Sequence, residues 1–365
     1  MTKLADVFKL NPKGLNVRRG LGVLVVMGAP LIVMHVINQE VYYLSLAFGA
    51  LFVGLNDPGG EYGYRLPRMA LNAVAGALLT VLGFAIGAGA WGVVVLAAFV
   101  ITLAAGLMVK YGLHGFTAAY LLNSWFLVAI ALPPGYHLSH GHTNAWAQGL
   151  AWLIGSALTI AFTAIVWLAR GRTAQAQPAA DIIPGESTPV PLTRPVILFA
   201  VIRAVAVSIA VAIAFGFHLP DADWMPVACL VAMKSSLAQS TLVALQRLAG
   251  AIIGAMVAAL FLLTVDTKIV LEVVIVILGT LAGSIRAVNY AFYCAALAGA
   301  VLIAEDLPDP TNLGHEARRV LFTFAGVGIA VIVMLLAGLL QKRTAKAAPA
   351  APAAPAAPVP EGQAG

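Results

Sequence analysis

Two arginines sit where a chain rich in apolar runs rarely places a charge. Arg203 falls about seven residues into one run and Arg247 about seven into another, which at ~1.5 Å per residue sets both roughly 10 Å from the same end. A cation at helix mid-depth costs on the order of 2.5–3.5 kcal/mol in a bilayer, somewhat less near the interface, so it normally faces a water-filled cavity or a partner. The bland alternative is snorkelling, in which each guanidinium reaches the headgroups and merely anchors its helix. Lys234 closes a neighbouring run at the same end, and no carboxylate falls in these portions of the runs. An unpaired basic cluster of this kind suits a carboxylate-bearing anion.

Other residue types extend that chemistry. Trp224, Tyr120, Tyr293, Asn123 and Trp125 offer stacking or hydrogen bonds to an aromatic acid, although interfacial belts and ordinary packing use the same residues. Arg319, beside Arg318 and Glu316, reads as an outer gate for anions or as one member of a local ion pair with Glu316 or Asp306. His137, His140 and His142 crowd one loop, but no carboxylate or Cys nearby completes a metal site, so a solvated loop is expected and no metal. Cys229 and Cys294 lie inside apolar stretches without C-x-x-C spacing and read as buried, inert thiols. P-loop, H-E-x-x-H and G-x-S-x-G patterns are missing, so neither an enzyme, a cofactor nor ATP-driven pumping is expected.

The elements that must hold these residues follow from composition. Of 365 residues, 61% are hydrophobic and 10% charged, against roughly 25% charged in soluble domains. A soluble globular protein is excluded. Twelve apolar runs, 18-37, 41-55, 66-88, 91-109, 113-132, 146-168, 196-217, 224-236, 240-263, 269-285, 287-304 and 316-340, predict an all-α integral membrane protein of about twelve transmembrane helices. The runs at 41-55 and 224-236 are short and are expected to be tilted, broken or re-entrant. A β-barrel would show alternating ten-residue segments, which these continuous Ala-, Leu- and Gly-rich runs do not.

Placing the N-terminus inside gathers nearly all Lys and Arg on one face, leaving Lys268, Arg318 and Arg319 opposite, and sends most acids outward. Both termini are therefore predicted cytoplasmic, in a bacterial inner membrane. The net charge of +6 is scattered in short loops rather than striped, so no nucleic-acid partner is expected. The predicted organisation is a cytoplasmic segment 1-17, a six-helix half 18-168, a Pro- and Gln-rich linker 169-195, a second six-helix half 196-340 and an Ala/Pro tail 341-365 without fold. Arg19 and Arg203, Gly76 and Gly254, Tyr120 and Tyr293, and Gly155 and Gly326 recur at offsets that fall from 184 through 178 and 173 to 171. That drift is what loop deletions in a duplicated half produce, and an even span number gives both halves one orientation, with the site between them.

The order of I-R-A at 202–204, G-F-H-L-P at 216–220, D-W at 223–224 and A-L-Q-R-L-A-G-A-I-I-G-A at 244–255 resembles the fusaric acid resistance protein-like family of aromatic acid exporters. V-R-R-G-L at 17–21, A-F-G-A-L-F-V-G-L-N-D-P-G-G at 47–60 and A-V-A-G-A-L at 73–78 resemble the same family's opening segment, so the likeness covers most of residues 15 to 340. It implies an exporter of carboxylate-bearing, aromatic small molecules working by alternating access. Membrane lipid, a periplasmic membrane-fusion adaptor and a second copy of the chain are the partners this allows. The family's plant relatives are anion channels, which keeps a channel open as an alternative. A membrane scaffold that only anchors an adaptor is the other. The family often carries sizeable cytoplasmic domains, whereas this chain offers only its linker and tail.

Overall fold

A backbone in hydrocarbon finds no water to bond, so each apolar run must satisfy its amides internally, and helix is the local solution. The computed structural model describes residues 7–58, 61–138, 143–172, 191–219, 224–233, 237–265, 267–306 and 314–347. Lys234, His140, His142, most of the 169-195 linker and the tail beyond Ala347 lie outside them.

Among the described residues all regular structure is helical, with twelve α-helices: α1 Val17–Val36, α2 Tyr43–Leu55, α3 Tyr62–Ile86, α4 Trp91–Leu107, α5 Gly112–Leu138, α6 Ala145–Ala169, α7 Arg194–Gly216, α8 Trp224–Ala232, α9 Leu237–Thr264, α10 Lys268–Ile285, α11 Tyr290–Asp306 and α12 Gly314–Ala347. Each coincides with one of the apolar runs. Nine are long and apolar enough to cross a membrane by length and composition; α2, α8 and α11 are shorter. At ~1.5 Å per residue the nine-residue α8 is only about 14 Å long, less than half a hydrocarbon core. Nearly every residue of α2 and α8 is buried, so these short helices are covered by protein rather than lipid.

Polar residues set the ends of the helices. The Asn16 side chain accepts from the Arg19 amide at 3.0 Å to start α1, and Asn144 accepts from the Trp146 amide at 2.8 Å to start α6. α1 and α7 finish alike. Asn38 and His218 take left-handed conformations (φ 54° and 51°), and the amides of the following residues, Gln39 and Leu219, donate back to Met34 and Ala214 carbonyls at 2.9 and 3.0 Å.

Without a hydrophobic force between helices in lipid, close van der Waals approach at small residues does the packing. Gly49 and Gly155 bring α2 and α6 to backbone contact, and Gly326 does the same for α12 against Met225 of α8. Gly250 and Gly254 seat α9 on Ala291, Cys294, Ala295 and Ala298 of α11, and Gly283 meets Gly20 and Val23 across α10 and α1. Gly76 lies against the Trp152 indole, and Gly279 faces Met27. Among the described residues, a Cβ at Gly328 would meet nothing within 4 Å. The outward faces carry exposed Leu71, Leu78, Leu96, Ile165, Met256 and Leu336, a surface matched to lipid tails.

Within residues 17–169, α2 packs on α6, α3 on α6 and α5, and α4 on α5; within 194–347, α8 packs on α12, α9 on α12 and α11, and α10 on α11. Two long seams, α4 against α7 and α1 against α10, join the two sets. The short helices reach across as well, α8 to α5 and α2 to α11.

Candidate functional site

The odd-numbered helices α5, α7, α9 and α11 bring a basic and aromatic cluster together nearer the end at which they begin. Arg203 is the tenth residue of α7 and Arg247 the eleventh of α9, both deeper than counting from the apolar runs implied. Arg203 is 2% exposed. Its Nε and Nη2 have no hydrogen-bond partner among the described residues, and its guanidinium lies 5.5 Å from the centre of the Phe116 ring. Gly106 of α4 lies beside it and lets α4 close on α7: a Cβ there would meet the Ala200 Cβ at 2.8 Å and stand in ordinary contact, 3.6 Å, with Arg203 Nη2. Arg247 is half-buried, and its Nη1 donates to Cys294 Sγ at 3.8 Å. Among the described residues no carboxylate lies within ion-pair distance of either guanidinium.

Tyr120 of α5 joins the two arginines electrically. It is buried and within electrostatic reach of Arg203, Arg247, Cys294 and Tyr293. Its ring stacks on Phe116, one turn earlier, at 6.2 Å. Tyr293 of α11 lies 5.8 Å from Tyr290, and the Arg286 guanidinium sits 5.3 Å from the Tyr293 ring centre. Four of the sequence-predicted residues, Arg203, Arg247, Tyr120 and Tyr293, therefore converge. Phe116, Arg286, Tyr290 and Cys294 complete the group and were missed as site residues. A signal existed for the rings: Phe116 with Tyr120 and Tyr290 with Tyr293 are helical i, i+4 and i, i+3 pairs at the starts of α5 and α11.

The other expected residues fall elsewhere. Asn123 is buried in a 3.2 Å hydrogen bond with Thr102, fastening α5 to α4. Trp125 donates from Nε1 to Thr80 Oγ1 at 2.8 Å and packs on Phe48 and Trp152, which makes it part of a core. Trp224 lines a small apolar cavity with Ala251, Ala255, Ala298, Leu302, Val320 and Thr323, and its own Nε1 is buried without a hydrogen-bond partner among the described residues. Ala251 and Ala255 stand one and two turns beyond Arg247 on α9, and Ala298 one turn beyond Cys294 on α11. The cavity thus lies one to two turns further along the α9–α11 interface that holds the Arg247–Cys294 contact. Arg319 lies in α12, and its side chain, like that of His137, falls outside the described residues.

At the opposite end, His35 Nδ1 lies 2.7 Å from Glu272 Oε1 and 3.6 Å from Glu40 Oε1. No spacing pattern in the sequence pointed to this group. The first of these contacts is a hydrogen bond between the two side chains, with the Glu40 carboxylate at its edge.

These features define a multi-pass helical membrane protein whose interior holds guanidinium groups among aromatic rings. Residues 209–333, from within α7 to within α12, match the model of the fusaric acid resistance protein-like family. That stretch contains Arg247, Cys294, the tyrosines of α11 and the Trp224 cavity, and it supports the resemblance read from the residues. No curated protein and no solved structure matches the chain.

Proposed function

We propose that this protein is a non-enzymatic exporter of carboxylate-bearing aromatic small molecules in the bacterial inner membrane. The observation that carries the reading is the pair of guanidinium groups, Arg203 and Arg247, in the membrane interior with no carboxylate at ion-pair distance among the described residues. Leaving a buried donor unpaired costs about 1–3 kcal/mol, more for a charged one, so an anion that enters this site recovers that cost. Arg presents a planar fork that matches a carboxylate, and the Phe116, Tyr120 and Tyr293 rings supply faces for an aromatic ring. Binding with the carboxylate at Arg247 would direct the ring one turn along α9, toward the Trp224 cavity.

The route is alternating access between two six-helix halves joined by the 169-195 linker. Support comes from the packing scheme. Adding six to each helix number turns α2–α6 into α8–α12, α3–α5 into α9–α11, and the α4–α7 seam into the α10–α1 seam when numbering closes on itself. The matching ends of α1 and α7 and the pair of short, buried helices α2 and α8 support it too. Short segments at equivalent places in repeated halves mark binding sites in such transporters. With both termini inside, the cluster lies toward the cytoplasm, where a neutral acid that has diffused in ionises and is trapped.

Efflux of radiolabelled 4-hydroxybenzoate from loaded cells, with and without the gene, tests the function. Faster efflux with the gene, abolished in Arg203→Gln and partly kept in Arg203→Lys, supports the reading. Equal efflux in both strains across a panel of hydroxybenzoates would overturn it.

A further inference from the structure

The two seams that join the halves differ at one place. On α4 and α7, the fifth residue of α4 is Val95 and the end of α7 brings Phe215 and Leu219, all packed as hydrophobic residues. On the other seam the fifth residue of α10 is Glu272 and the penultimate residue of α1 is His35. Glu272 is 7% exposed, inside a helix long and apolar enough to span. A carboxylate is costly there and is kept where it moves ions or protons or has a fixed partner. Its partner, His35, comes from the other half of the chain, 237 residues away. Glu40 stands at the pair's more exposed side, and Tyr43 of α2 is within electrostatic reach of Glu272. Tyr43 itself donates to the Met27 carbonyl at 3.5 Å. On α10 the nearest further charge is Lys268, one turn earlier and exposed; on α11 the side chains of Glu305 and Asp306 fall outside the described residues.

We propose that His35 and Glu272 form the proton-coupling pair of the exporter, a contact between the halves that closes when Glu272 is ionised and opens when it takes up a proton. This rests on the export reading, which places this end of α1 and α10 outside. The ionised carboxylate accepts a hydrogen bond from the His35 ring and draws α1 to α10. One proton from the outer solution makes an O–H bond on Glu272, removes the carboxylate charge and frees the two helices to part. The same O–H bond breaks when the halves rock to open inward, and the proton leaves to the inner solution along the path between the halves that the anion uses. One proton enters as one organic anion leaves. Both movements run with a membrane potential that is negative inside. His35 holds Glu272 and does not touch the anion, which binds at the far end of the molecule.

The test uses the purified full-length protein in lipid vesicles with radiolabelled 4-hydroxybenzoate. Two rates are read: exchange of labelled for unlabelled acid at equal pH, which needs no net proton movement, and uphill transport driven by a pH difference. Glu272→Gln, fixed in the neutral state, is expected to lose driven transport by about tenfold or more while exchange stays within about twofold, since only the coupling free energy is removed. Glu272→Asp should restore part of the driven rate. Driven transport unchanged in Glu272→Gln overturns the proposal, and so does equal loss of both rates. Should Glu272→Gln not assemble, His35→Asn must shift the pH midpoint of driven transport by about one unit or more, and an unmoved midpoint overturns the proposal. Wild-type vesicles with neither exchange nor driven transport would instead defeat the export reading itself.

Discussion

The first and second sets of six helices fill their centres differently. Between α2, α5 and α6 the first set stacks Phe48 on Trp125 at 4.8 Å, with Trp152 5.3 Å further on and Phe52 edge-on to it at 6.1 Å. Trp125 and Trp152 are fully buried, and Trp125 is tied to Thr80, which donates in turn to the Gly76 carbonyl at 2.7 Å. Counting from Tyr120 and Tyr293, the residue in step with Trp125 is Ala298; counting from Gly155 and Gly326, the residue in step with Trp152 is Thr323. Both line the cavity beside Trp224. Where one set holds two indoles, the other holds small side chains and a gap. Aromatic packing makes the first set a fixed body, since large rings in dense cores leave few alternative arrangements. The second set has a small gap one to two turns from Arg247, and the family match at 209–333 falls within that set.

Truncating the fixed core should have the largest effect. Trp152→Ala removes the ring against which Gly76 and Phe52 pack and should cost about 3–5 kcal/mol, whereas Thr323→Ala should cost about 1 kcal/mol or less. Reversible unfolding in detergent measures both, and equal costs would erase the contrast. Next in size is the charge. Arg203→Gln should lower transport of 4-hydroxybenzoate at least tenfold, about 1.4 kcal/mol, with Arg203→Lys in between because a charge remains without the bidentate fork.

Filling the gap should sharpen the contrast more selectively. Ala251→Phe places a ring in this gap from α9, so the fold should survive with a cost of about 1–3 kcal/mol. Transport of hydroxybenzoate should fall several-fold more than that of a short aliphatic acid, measured side by side; parallel losses would mean that the gap receives no ring. The smallest effect is expected at Gly328 of the second set, with Gly254 as the contrast. Gly254→Ala should destabilise α9 on α11 by about 1–3 kcal/mol, since its Cβ would meet Ala295 O and Ala298, while Gly328→Ala, with open space around it, should change stability by less than about 0.5 kcal/mol.

Much of this architecture was legible in the residues. Hydrophobic runs bounded by charge, Pro or Gly coincide with all twelve helices because a lipid-embedded backbone allows no other local solution. The short runs at 41-55 and 224-236 become the short helices α2 and α8. Arg203, Arg247, Tyr120 and Tyr293 could be singled out because a charge or a polar ring stands out against an apolar run. Their neighbours Phe116 and Tyr290 carry only the weaker signal of helical i, i+4 and i, i+3 ring pairs, which does not stand out because aromatic residues near helix ends are common in any membrane protein. Glu272 was hidden for another reason. It is a single acid near the start of an apolar run, and what makes it unusual is His35, brought to it from a helix 237 residues away by tertiary packing alone. Trp125 and Asn123 show the converse: polar groups that looked available for a ligand are used up by Thr80 and Thr102.

The central claim is that the guanidinium groups of Arg203 and Arg247 recognise a carboxylate. Equilibrium binding of 4-hydroxybenzoate and of its neutral counterpart 4-hydroxybenzamide to the purified protein tests it most directly. The two ligands share ring and shape and differ in charge. The acid should bind at least tenfold more tightly than the amide to the wild type, and Arg203→Gln with Arg247→Gln should remove that preference. Equal binding of acid and amide, or a preference that survives loss of both arginines, would contradict the account.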